Sequence, residues 1–473
     1  MWKAITMGPN SCWWAIACSE RSYSWRAITM DSRQIHEAIN FGLKRGADQL
    51  EFFILHGNSE TVQIEKSAIN ASENKSISGM GIRAYTKKGL GIATTTLLTE
   101  RSLKELTKKA VKLSKIAPPD ELFKSLPDPF TVYPKVNGLY DKTITNFPDG
   151  HLTDLAIEAI DAGLEKHNVI ISGTFEREVV EESIYNSLGL EVNQKATALA
   201  GVIYAKAERS GDIATSWDYQ RIREAATFNP AEIGSNAAKN AVSLLGAKKV
   251  KSEEMTVILD QRSTQDTFLT IFGTGLNAYE VLLKTAFFID RLGQKITHEQ
   301  ITVHDNPLYP GGSASAIFDD EGVPHQKITL IKKGIAIAYF SNSYTANALN
   351  IPNTAHATKS SLGGIPYPDL NQLQIKAGDW SSEELIRETK KGIYLKDTSL
   401  EPTTGSPNIS ILVDQGFLIE KGEITHPLKE TMVGTNVFSL LKNVDAVGKE
   451  LLNEAGSIAP MIRISKAMVS SEE

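Results

Sequence analysis

Apolar positions in the first half of the chain alternate between helical and extended spacing. Apolar residues three and four positions apart predict helices at residues 32–45, 103–116, 152–166 and 230–245. Runs rich in Ile, Val, Phe and Thr predict strands at residues 50–55, 62–69, 77–85 and 90–95, and a β meander over 169–219. Ser32 is a suitable cap for the first helix, and Lys87-Lys88-Gly89 is typical of a hairpin turn.

The second half is dominated by short strands that glycine-containing turns separate. These strands are predicted at residues 256–259, 301–303, 328–331, 335–340, 373–375, 409–413 and 417–419. Helices are predicted between them at residues 263–271, 381–389 and 436–441. The pattern predicts an α+β fold: an N-terminal α/β domain with hairpins, followed by a mostly antiparallel, barrel-like C-terminal domain.

At 473 residues the chain is long enough for two domains. We predict an N-terminal extension over 1–29, a first domain over 30–246 and a second over 247–473, with a proline-rich loop at 117–150. The extension holds four of the six tryptophans and repeats the pattern Trp-Lys/Arg-Ala-Ile-Thr-Met. An export signal ending at Ala17-Cys18 is conceivable, but its apolar stretch is short, so we expect a dispensable, disordered or loosely packed segment.

The composition of the chain excludes several classes of binding partner. The net charge of −6 provides no large basic surface for nucleic acid or an anionic membrane, and no apolar run approaches the length that crosses a bilayer. We therefore expect a cytoplasmic protein. Both cysteines, Cys12 and Cys18, precede the regular patterning, which excludes a disulfide framework and a thiolate metal site in the body of the chain.

Two motifs resemble catalytic or cofactor signatures. His298-Glu299 followed by His304 has the residue types of a zinc hydrolase, but the histidines are six apart, which places them on opposite faces of a helix. We expect them to have no catalytic role. Gly273-Thr274-Gly275 fits a dinucleotide fingerprint loosely, but a helix start precedes it instead of a strand, so close backbone packing is the expected role.

Polar, glycine-containing segments of the second half supply the candidate site. Asp319-Asp320-Glu321 could bind a hard cation or act as acid and base, although a charged turn between strands is the simpler interpretation. The glycines before Ser313 do not form a nucleophile elbow. The candidate peptide-groove or interface residues are Gly311, Gly312, Asp319, Asp320, Glu321, Asn353, His356, Gly363 and Gly364.

From residue 30 onward, several segments in their order and spacing resemble the TldD/PmbA family, also called modulators of DNA gyrase. The resemblance covers nearly the whole chain. It rests on Gly79-x-Gly81-Ile82-Arg83, Gly89-x-Gly91-Ile92, Asn186-Ser187-x-Gly189, Phe318-Asp319-Asp320-Glu321-Gly322, Leu330-Ile331-x-x-Gly334, Tyr339, Asp414-x-Gly416, Ile419-Glu420-x-Gly422-Glu423 and Pro427.

The resemblance has a direct implication for metal binding. The catalytic TldD type of the family has H-E-x-x-x-H on a helix soon after a strand, and a cysteine in the C-terminal half adds a zinc ligand. The matching stretch here, residues 267–278 after Asp260, contains no histidine, and no cysteine follows it. The chain therefore resembles the PmbA/TldE branch, so no catalytic or metal-binding residue carries over and zinc is expected only in a TldD-type partner.

Three functions follow as hypotheses. The leading one is a zinc-free subunit that pairs with a TldD-type H-E-x-x-x-H homologue and walls a chamber for unfolded peptide, where a strand edge of the C-terminal half adds main-chain hydrogen bonds. The second is a stand-alone homodimeric binding or scaffold protein. The third is an independent metal-dependent hydrolase that uses Asp319, Asp320 and Glu321.

Overall fold

The structure is a computed structural model that describes residues 31–400 and 406–471. The predicted extension over 1–29 lies outside the described residues. Within them, the α+β prediction is confirmed, and the chain is built around two large antiparallel-rich sheets.

The first sheet has six strands in the order β3-β2-β1-β4-β5-β6, and all of its pairs are antiparallel. Its strands are β1 (Gln49–Glu65), β2 (Ala68–Thr86), β3 (Gly89–Thr95), β4 (Val169–Asn186), β5 (Glu191–Arg209) and β6 (Asp212–Ile222). The hairpin turn predicted at Lys87-Lys88-Gly89 is confirmed, and Lys87 and Lys88 adopt the left-handed backbone conformation there.

One face of this sheet is covered by helices. They are α1 (Ser32–Lys44), α2 (Glu100–Ile116), α3 (Lys142–Thr145), α4 (His151–Leu164) and α5 (Pro230–Ser243). Side chains of β1 alternate between faces, and its even-numbered apolar residues all point to the helices. Phe52 and Ile54 pack under α1 and α2, whereas Val62 and Ile64 pack under α4 and α5. Two helix layers therefore lie side by side along the same strand.

The second half of the chain forms a closed barrel. Strand β7 (Glu253–Leu259) pairs parallel with β14 (Lys391–Leu400) and antiparallel with β19 (Ser457–Ser471). Strands β15 (Asn408–Glu420) and β17 (Thr431–Asn436) complete the ring β7-β14-β15-β17-β19. The predicted barrel-like character of this half is therefore confirmed.

The remaining elements surround the barrel. The strands are β8 (Val303–Asp305), β9 (Ile328–Lys332), β10 (Ile335–Ala336), β11 (Ala357–Thr358), β12 (Tyr367–Pro368), β13 (Leu373–Ile375), β16 (Glu423–Pro427) and β18 (Val444–Glu454). The helices are α6 (Gln261–Gly275), α7 (Ala278–Leu283), α8 (Ser343–Leu349), α9 (Ser382–Arg387) and α10 (Val437–Lys442). Among the described residues, no helix is both long and apolar enough to cross a membrane.

Several element boundaries differ from the predictions: the strand predicted over 335–340 covers only Ile335–Ala336, and the strands predicted over 409–413 and 417–419 form one strand, Asn408–Glu420. The predicted strand over 62–69 is interrupted by a turn at Lys66-Ser67, and residues 50–55 and 62–65 belong to one strand, because polar residues continue the ladder between them. Asp31, and not Ser32, caps α1. The helix predicted over 263–271 extends from Gln261 through Gly273-Thr274-Gly275 to its end. The division into domains at residue 246 stays a prediction.

Candidate functional site

The Asp319-Asp320-Glu321 segment is a buried turn between the two halves of the chain. Asp319 accepts hydrogen bonds from the backbone N–H groups of Glu321 and Val323 at 3.0 Å each, and Gly322 closes the turn at φ +80°. The second carboxylate oxygen of Asp319 accepts a hydrogen bond from the N–H of Ala357 at 3.0 Å. Burial, and then the nearby Glu321 carboxylate, raise the pKa of Asp319 well above its usual range. Asp319 therefore shapes this turn from the inside.

The neighbouring carboxylates join a buried ionic network with the first sheet. Arg83 of β2 donates to Glu51 of β1 through Nε at 2.9 Å and Nη2 at 2.6 Å, and Lys359 Nζ donates to Glu51 at 2.7 Å. Arg83 lies 3.6 Å from Glu321, and the backbone N–H of Lys359 donates to Asp320. Burial alone would raise the pKa of Glu51, but the charges of Arg83 and Lys359 outweigh it and lower the pKa to about 2. We call Glu51, Arg83, Lys359, Asp320 and Glu321 the ionic contact.

The three carboxylates of the turn do not converge. Asp319 binds backbone N–H groups, Asp320 binds the Lys359 backbone, and Glu321 binds Arg83 and the Ser343 backbone N–H at 2.9 Å. Within the described ranges, no group of three or more His, Cys, Asp or Glu side chains is arranged to hold a metal ion. This arrangement weighs against a hydrolase that uses one cation on this turn.

Glu182 of β4 lies beside the ionic contact without an ionic partner among the described residues. Its Oε2 accepts from Gln194 at 3.3 Å, while its Oε1 is buried without a hydrogen bond. Burial, reinforced by the Asp320 carboxylate, raises the pKa of Glu182 to about 8. The folded protein therefore holds this proton more tightly than the unfolded chain does.

Replacing Glu182 with glutamine should make the protein relatively more stable as the pH rises from about 5 to 8. Because the pKa of Glu182 is higher in the folded than in the unfolded state, wild type loses free energy of unfolding as the pH rises. The loss is up to about 1.4 kcal/mol for each pH unit between the two pKa values. Glutamine does not titrate and resembles the protonated acid. Urea unfolding of both proteins at several pH values measures the difference. Glu181→Gln, on the opposite face of β4 and paired with Lys195 at the surface, is the control; a difference for Glu182→Gln that does not grow with pH would contradict the assignment.

His356 and Asn353 lie in one buried loop of the second half. His356 contacts Asp305 through Nε2 at 3.1 Å and the Thr354 carbonyl through Nδ1 at 2.7 Å, and its side chain is fully buried. The Asn353 side-chain oxygen accepts the N–H of Ala355, which adopts φ +58°. Because both ring nitrogens of His356 are occupied by protein, this histidine shapes the loop and does not face an open groove.

The Gly363-Gly364 loop packs on the glycines of β2. A Cβ at Gly81 would lie 1.6 Å from the carbonyl oxygen of Leu362, and a Cβ at Gly79 would lie 2.2 Å from the Leu362 side chain. A Cβ added at Gly363 would lie 2.8 Å from the Thr94 side chain. The absence of side chains at Gly79 and Gly81 therefore allows this loop to approach the backbone of β2.

We expect Gly81→Ala to destabilise the protein by about 1–3 kcal/mol, because the backbone of the loop must move to admit the methyl group. Gly434→Ala is a matched control, since Gly434 also lies in a strand, without positive φ, and a Cβ there meets nothing within 4 Å. Thermal unfolding of the two variants compares them. Equal melting temperatures would contradict the proposed contact.

Gly311 and Gly312 lie at a second contact between the halves. The Gly311 N–H donates to the Asn137 carbonyl at 2.9 Å, which fixes the proline-rich loop against this segment. Arg223, which follows β6, donates to the carbonyls of Gly312 at 2.9 Å and Ser313 at 2.8 Å. Most of the predicted candidate residues therefore lie where the two halves of the chain meet. They are divided between the Gly311-Gly312 segment and the surroundings of the ionic contact.

The two motifs that resembled a zinc-hydrolase signature and a dinucleotide-binding signature lie away from these contacts. His304 lies on β8 and contacts Thr329 at 3.0 Å, and His298 Nδ1 accepts the N–H of Gln300. Gly273 and Gly275 lie at the C-terminal end of α6, not at the start of a helix where a pyrophosphate group would bind.

A second cluster, which the sequence did not predict, surrounds α6. Asp260 caps this helix after β7, and Phe268 and Phe272 bury one side of it in the barrel core. On another side, Arg262 donates to Glu454 of β18 through Nε at 2.7 Å and Nη2 at 2.8 Å, and it also contacts Asp218 of β6. One guanidinium therefore joins the first sheet, α6 and β18, a strand that pairs with β19 of the barrel.

Aromatic residues and further carboxylates complete this cluster. The Arg262 guanidinium lies 5.6 Å from the Trp217 ring and 5.1 Å from the Tyr219 ring, distances typical of cation–π contacts. Trp217 Nε1 donates to Asp397 at 2.7 Å. We call the cluster the acidic cleft; its residues are Trp217, Asp218, Tyr219, Arg262, Asp266, Asp397, Asp414 and Glu454.

The carboxylates of the acidic cleft outnumber its cations. Asp266 is exposed at the surface, but partial desolvation of its carboxyl group, and then the charge of Asp397, raise its pKa to about 7. Burial and the charge of Asp414 raise the pKa of Asp397 to about 6. The cleft residues are spread from 217 to 454 in the sequence, so only the fold brings them together.

Comparison with known proteins agrees with this architecture. Three models of the PmbA/TldA metallopeptidases match the chain: domain 1 over residues 50–114, the central domain over 142–245 and the C-terminal domain over 252–471. A metalloprotease of Methanocaldococcus jannaschii is 26% identical over 422 residues, 85% of this chain and 90% of that protein. The metalloprotease PmbA of Escherichia coli O157:H7 is 23% identical over 437 residues, 88% of this chain and 92% of that protein. The crystal structure of TldE from Thermococcus kodakarensis superimposes with a TM-score of 0.85 at 22% identity, covering 93% of this chain and all of that one.

Proposed function

The chain belongs to the TldD/PmbA family of metallopeptidase-like proteins, and on that premise we propose that it is the zinc-free subunit of a two-subunit peptidase. Its partner is a homologue that has the H-E-x-x-x-H motif, and the substrates are unfolded peptides. We place the assembly in the cytoplasm. The family relationship supports a role in proteolysis, and the proposal adds the division of labour between subunits.

The observation that carries the proposal is the composition of α6. This helix follows β7 directly, as the zinc-binding helix of the TldD type follows a strand. At the partly exposed positions of its second half it has Leu269, Thr270, Gly273 and Thr274, none of which is a zinc ligand in proteins. The fold supports the helix, but the helix lacks the two histidines of the zinc-binding motif.

In the part of the chain that the structure describes, no group of three or more His, Cys, Asp or Glu side chains around α6 is arranged to hold a metal ion. Asp266 is the one carboxylate within the helix, and the cation nearest to it in sequence, Arg262, is held by Asp218 and Glu454. A guanidinium at this place repels a second cation. We therefore derive no metal-dependent step for this chain and assign the hydrolytic chemistry to the partner.

The proposed peptide-facing surface is the acidic cleft. Among the residues predicted from the sequence, Asp319 and Glu321 are buried at the contact between the halves, and His356 is buried within the second half. In contrast, Asp266 and Asp414 reach solvent, and Trp217 and Tyr219 add partly exposed aromatic surface. This combination of carboxylates and aromatic surface supports a role as one wall of a peptide chamber. The wall is rigid, because Arg262 binds residues of separate elements to one another.

Size-exclusion chromatography and elemental analysis test the proposal together. We expect the purified chain to contain no stoichiometric zinc, and to form a one-to-one complex with an H-E-x-x-x-H homologue from the same cell that holds all of the metal. The interface should bury more than roughly 2,000 Å² in total, as obligate interfaces do. Removing the partner's two histidines should remove zinc without dissolving the complex.

Two results would overturn the proposal. Stoichiometric zinc on the isolated chain that His298→Ala and His304→Ala abolish would assign the metal to the histidines discounted above. A chain that forms no complex with the homologue at micromolar concentration would leave the scaffold hypothesis in its place.

A further inference from the structure

The first sheet has a row of carboxylates on the face that its helices leave uncovered. Ile184 of β4 shares a buried apolar cluster with Phe318 of the second half, so the even-numbered residues of β4 point away from the helices. Glu176, Glu178 and Glu182 belong to this row. We call this side of the sheet the open face.

Two of these carboxylates have an oxygen without a partner in the described part of the chain. Glu178 is only 3% exposed; its Oε2 accepts from Arg221 of β6 at 2.7 Å, and its Oε1 is buried without a hydrogen bond. Glu182 repeats this arrangement, since Gln194 binds its Oε2 and its Oε1 is buried and unpaired. Buried carboxylate oxygens are normally hydrogen-bonded, so each of these two oxygens is suited to accept from a bound cation.

Small side chains lie between the two carboxylates. The strand register places Ala198 beside Glu178, and it places Ala196 of β5 and Gly57 of β1 on either side of Val180. Gly57, Val180 and Ala196 are partly exposed. A ligand that lies over this strip therefore meets no large side chain between the two carboxylates.

The surroundings at both ends of the strip favour additional positive charge. Burial, and then the nearby Glu178 carboxylate, raise the pKa of Glu176, which accepts from Ser59 at 3.1 Å. At the other end, burial and then Asp320 raise the pKa of Glu182 to about 8. A raised carboxyl pKa means that the ionised form has too little compensating charge nearby. An ammonium group of a ligand would supply that charge.

The spacing of the two carboxylates matches an extended peptide. Glu178 and Glu182 are four strand residues apart, which is roughly 13 Å. In an extended peptide, side chains four residues apart point the same way and have the same spacing, and the side chain midway between them points that way too. Lysine suits such a site, because its thin aliphatic stem can pass between small side chains while its ammonium group donates.

We propose that the open face between Glu178 and Glu182 binds an extended peptide that has basic residues at positions i and i+4 and a small or apolar residue at i+2. The i+2 side chain lies over Val180. The identification of the ligand as a peptide rests on the proposed function. Trp217 and Tyr219 of the acidic cleft lie on this same face of the sheet, two strands away, so the two surfaces are continuous.

Three fluorescein-labelled peptides test the spacing. Each has a glycine–serine background around one core, K-S-A-S-K, K-S-A-K-S or E-S-A-S-E. In the second core the lysines are three apart and point to opposite sides of an extended chain. By fluorescence anisotropy, we expect wild type to bind the first peptide about tenfold more tightly than the second, and not to bind the third. Equal affinity for both lysine peptides, or no binding of either, would overturn the inference.

Substitutions on β4 locate the site. Glu178→Gln and Glu182→Gln should each weaken binding of the K-S-A-S-K peptide about tenfold, because each removes one ionised partner of a lysine. Glu181→Gln, on the helical face of β4, is the matched control and should bind as wild type does. Circular dichroism melts verify folding, and Glu182→Gln keeps the test decisive if Glu178→Gln does not fold. Wild-type affinity in the folded variants would contradict the assignment.

The pH dependence of binding distinguishes a direct contact with Glu182 from a structural role. Asp319 and Asp320 oppose ionisation of Glu182, whereas Lys359 and the hydrogen bond from Gln194 favour it. Because the ionised carboxylate binds an ammonium group, the affinity of wild type should rise by up to about tenfold for each pH unit between about 6 and 8. The rise should be smaller in Glu182→Gln, and an equal rise in both proteins would exclude this contact.

These measurements follow binding to the chain alone, so their failure is distinct from failure of the proposed function. If the peptide did not bind but a mixture with the H-E-x-x-x-H homologue still cleaved unstructured peptides, the site would be wrong and the two-subunit proposal would stand. Binding with the expected spacing by a chain that forms no complex would support the site and remove the two-subunit proposal.

Discussion

Arg262→Met should destabilise the folded protein by about 3–5 kcal/mol, because it leaves two buried carboxylates without their cation. Asp218 is almost completely buried and Glu454 is largely buried, so water cannot replace the guanidinium. Methionine keeps the aliphatic volume beside Trp217 and Tyr219, which limits the loss from packing. Urea unfolding at pH 7 measures the effect.

Arg463→Met is the matched control for that change. Arg463 also binds one carboxylate with two nitrogens, Asp445 at 2.9 and 3.1 Å, and lies 5.1 Å from the Trp380 ring. However, Asp445 is 39% exposed and is hydrated when the arginine is lost. We expect a cost below about 1 kcal/mol. Similar losses for both variants would mean that burial of the carboxylates in the acidic cleft does not govern its stability.

Lys359→Met should produce a comparable loss, about 3–5 kcal/mol, at the ionic contact. The Lys359 side chain is 1% exposed, as is that of Glu51, and its ammonium group also lies 4.3 Å from the Phe53 ring. Without this charge, Glu51 keeps only Arg83, and the partly buried Asp320 loses a cation that lowers its pKa. Because Lys359 connects the second half of the chain to the first sheet, the two halves should also separate more easily.

Limited proteolysis and urea unfolding report these two consequences. Lys391→Met is the control, since Lys391 pairs with Glu253 at 2.6 Å but is 52% exposed. It should change stability by less than about 1 kcal/mol and leave the protease resistance unchanged. If Lys359→Met behaved like Lys391→Met, the ionic contact would not hold the halves together.

Local patterns in the sequence predicted most elements of the fold. The helical spacing of Leu103, Leu106 and Ala110 corresponds to α2, and the hairpin turn at Lys87-Lys88-Gly89 lies where its residues indicate. The polar stretch between residues 55 and 62 was misleading, because period-two burial is weak where a long strand spans two separate cores. The extension of α6 through Gly273 was missed because glycine inside a helix reads as an end signal.

The candidate site was less accessible from the sequence. The glycine and carboxylate motifs pointed to the family to which the chain belongs, but local chemistry does not reveal whether a charged turn faces solvent or a buried arginine. Glu321 lies beside Arg83 only in the folded chain, because Arg83 precedes it by 238 residues in the sequence. The acidic cleft had no local signal at all, since Asp218, Arg262 and Glu454 lie on three distant elements.

Cleavage of a quenched fluorescent, unstructured peptide tests the central claim, that this chain is the zinc-free subunit of a two-subunit peptidase. The assay compares this chain, the H-E-x-x-x-H homologue and their one-to-one mixture, each with and without a chelator. We predict no cleavage by this chain, little by the homologue and rapid cleavage by the mixture, which the chelator abolishes. Full activity of the homologue alone, unchanged by adding this chain, would contradict the account.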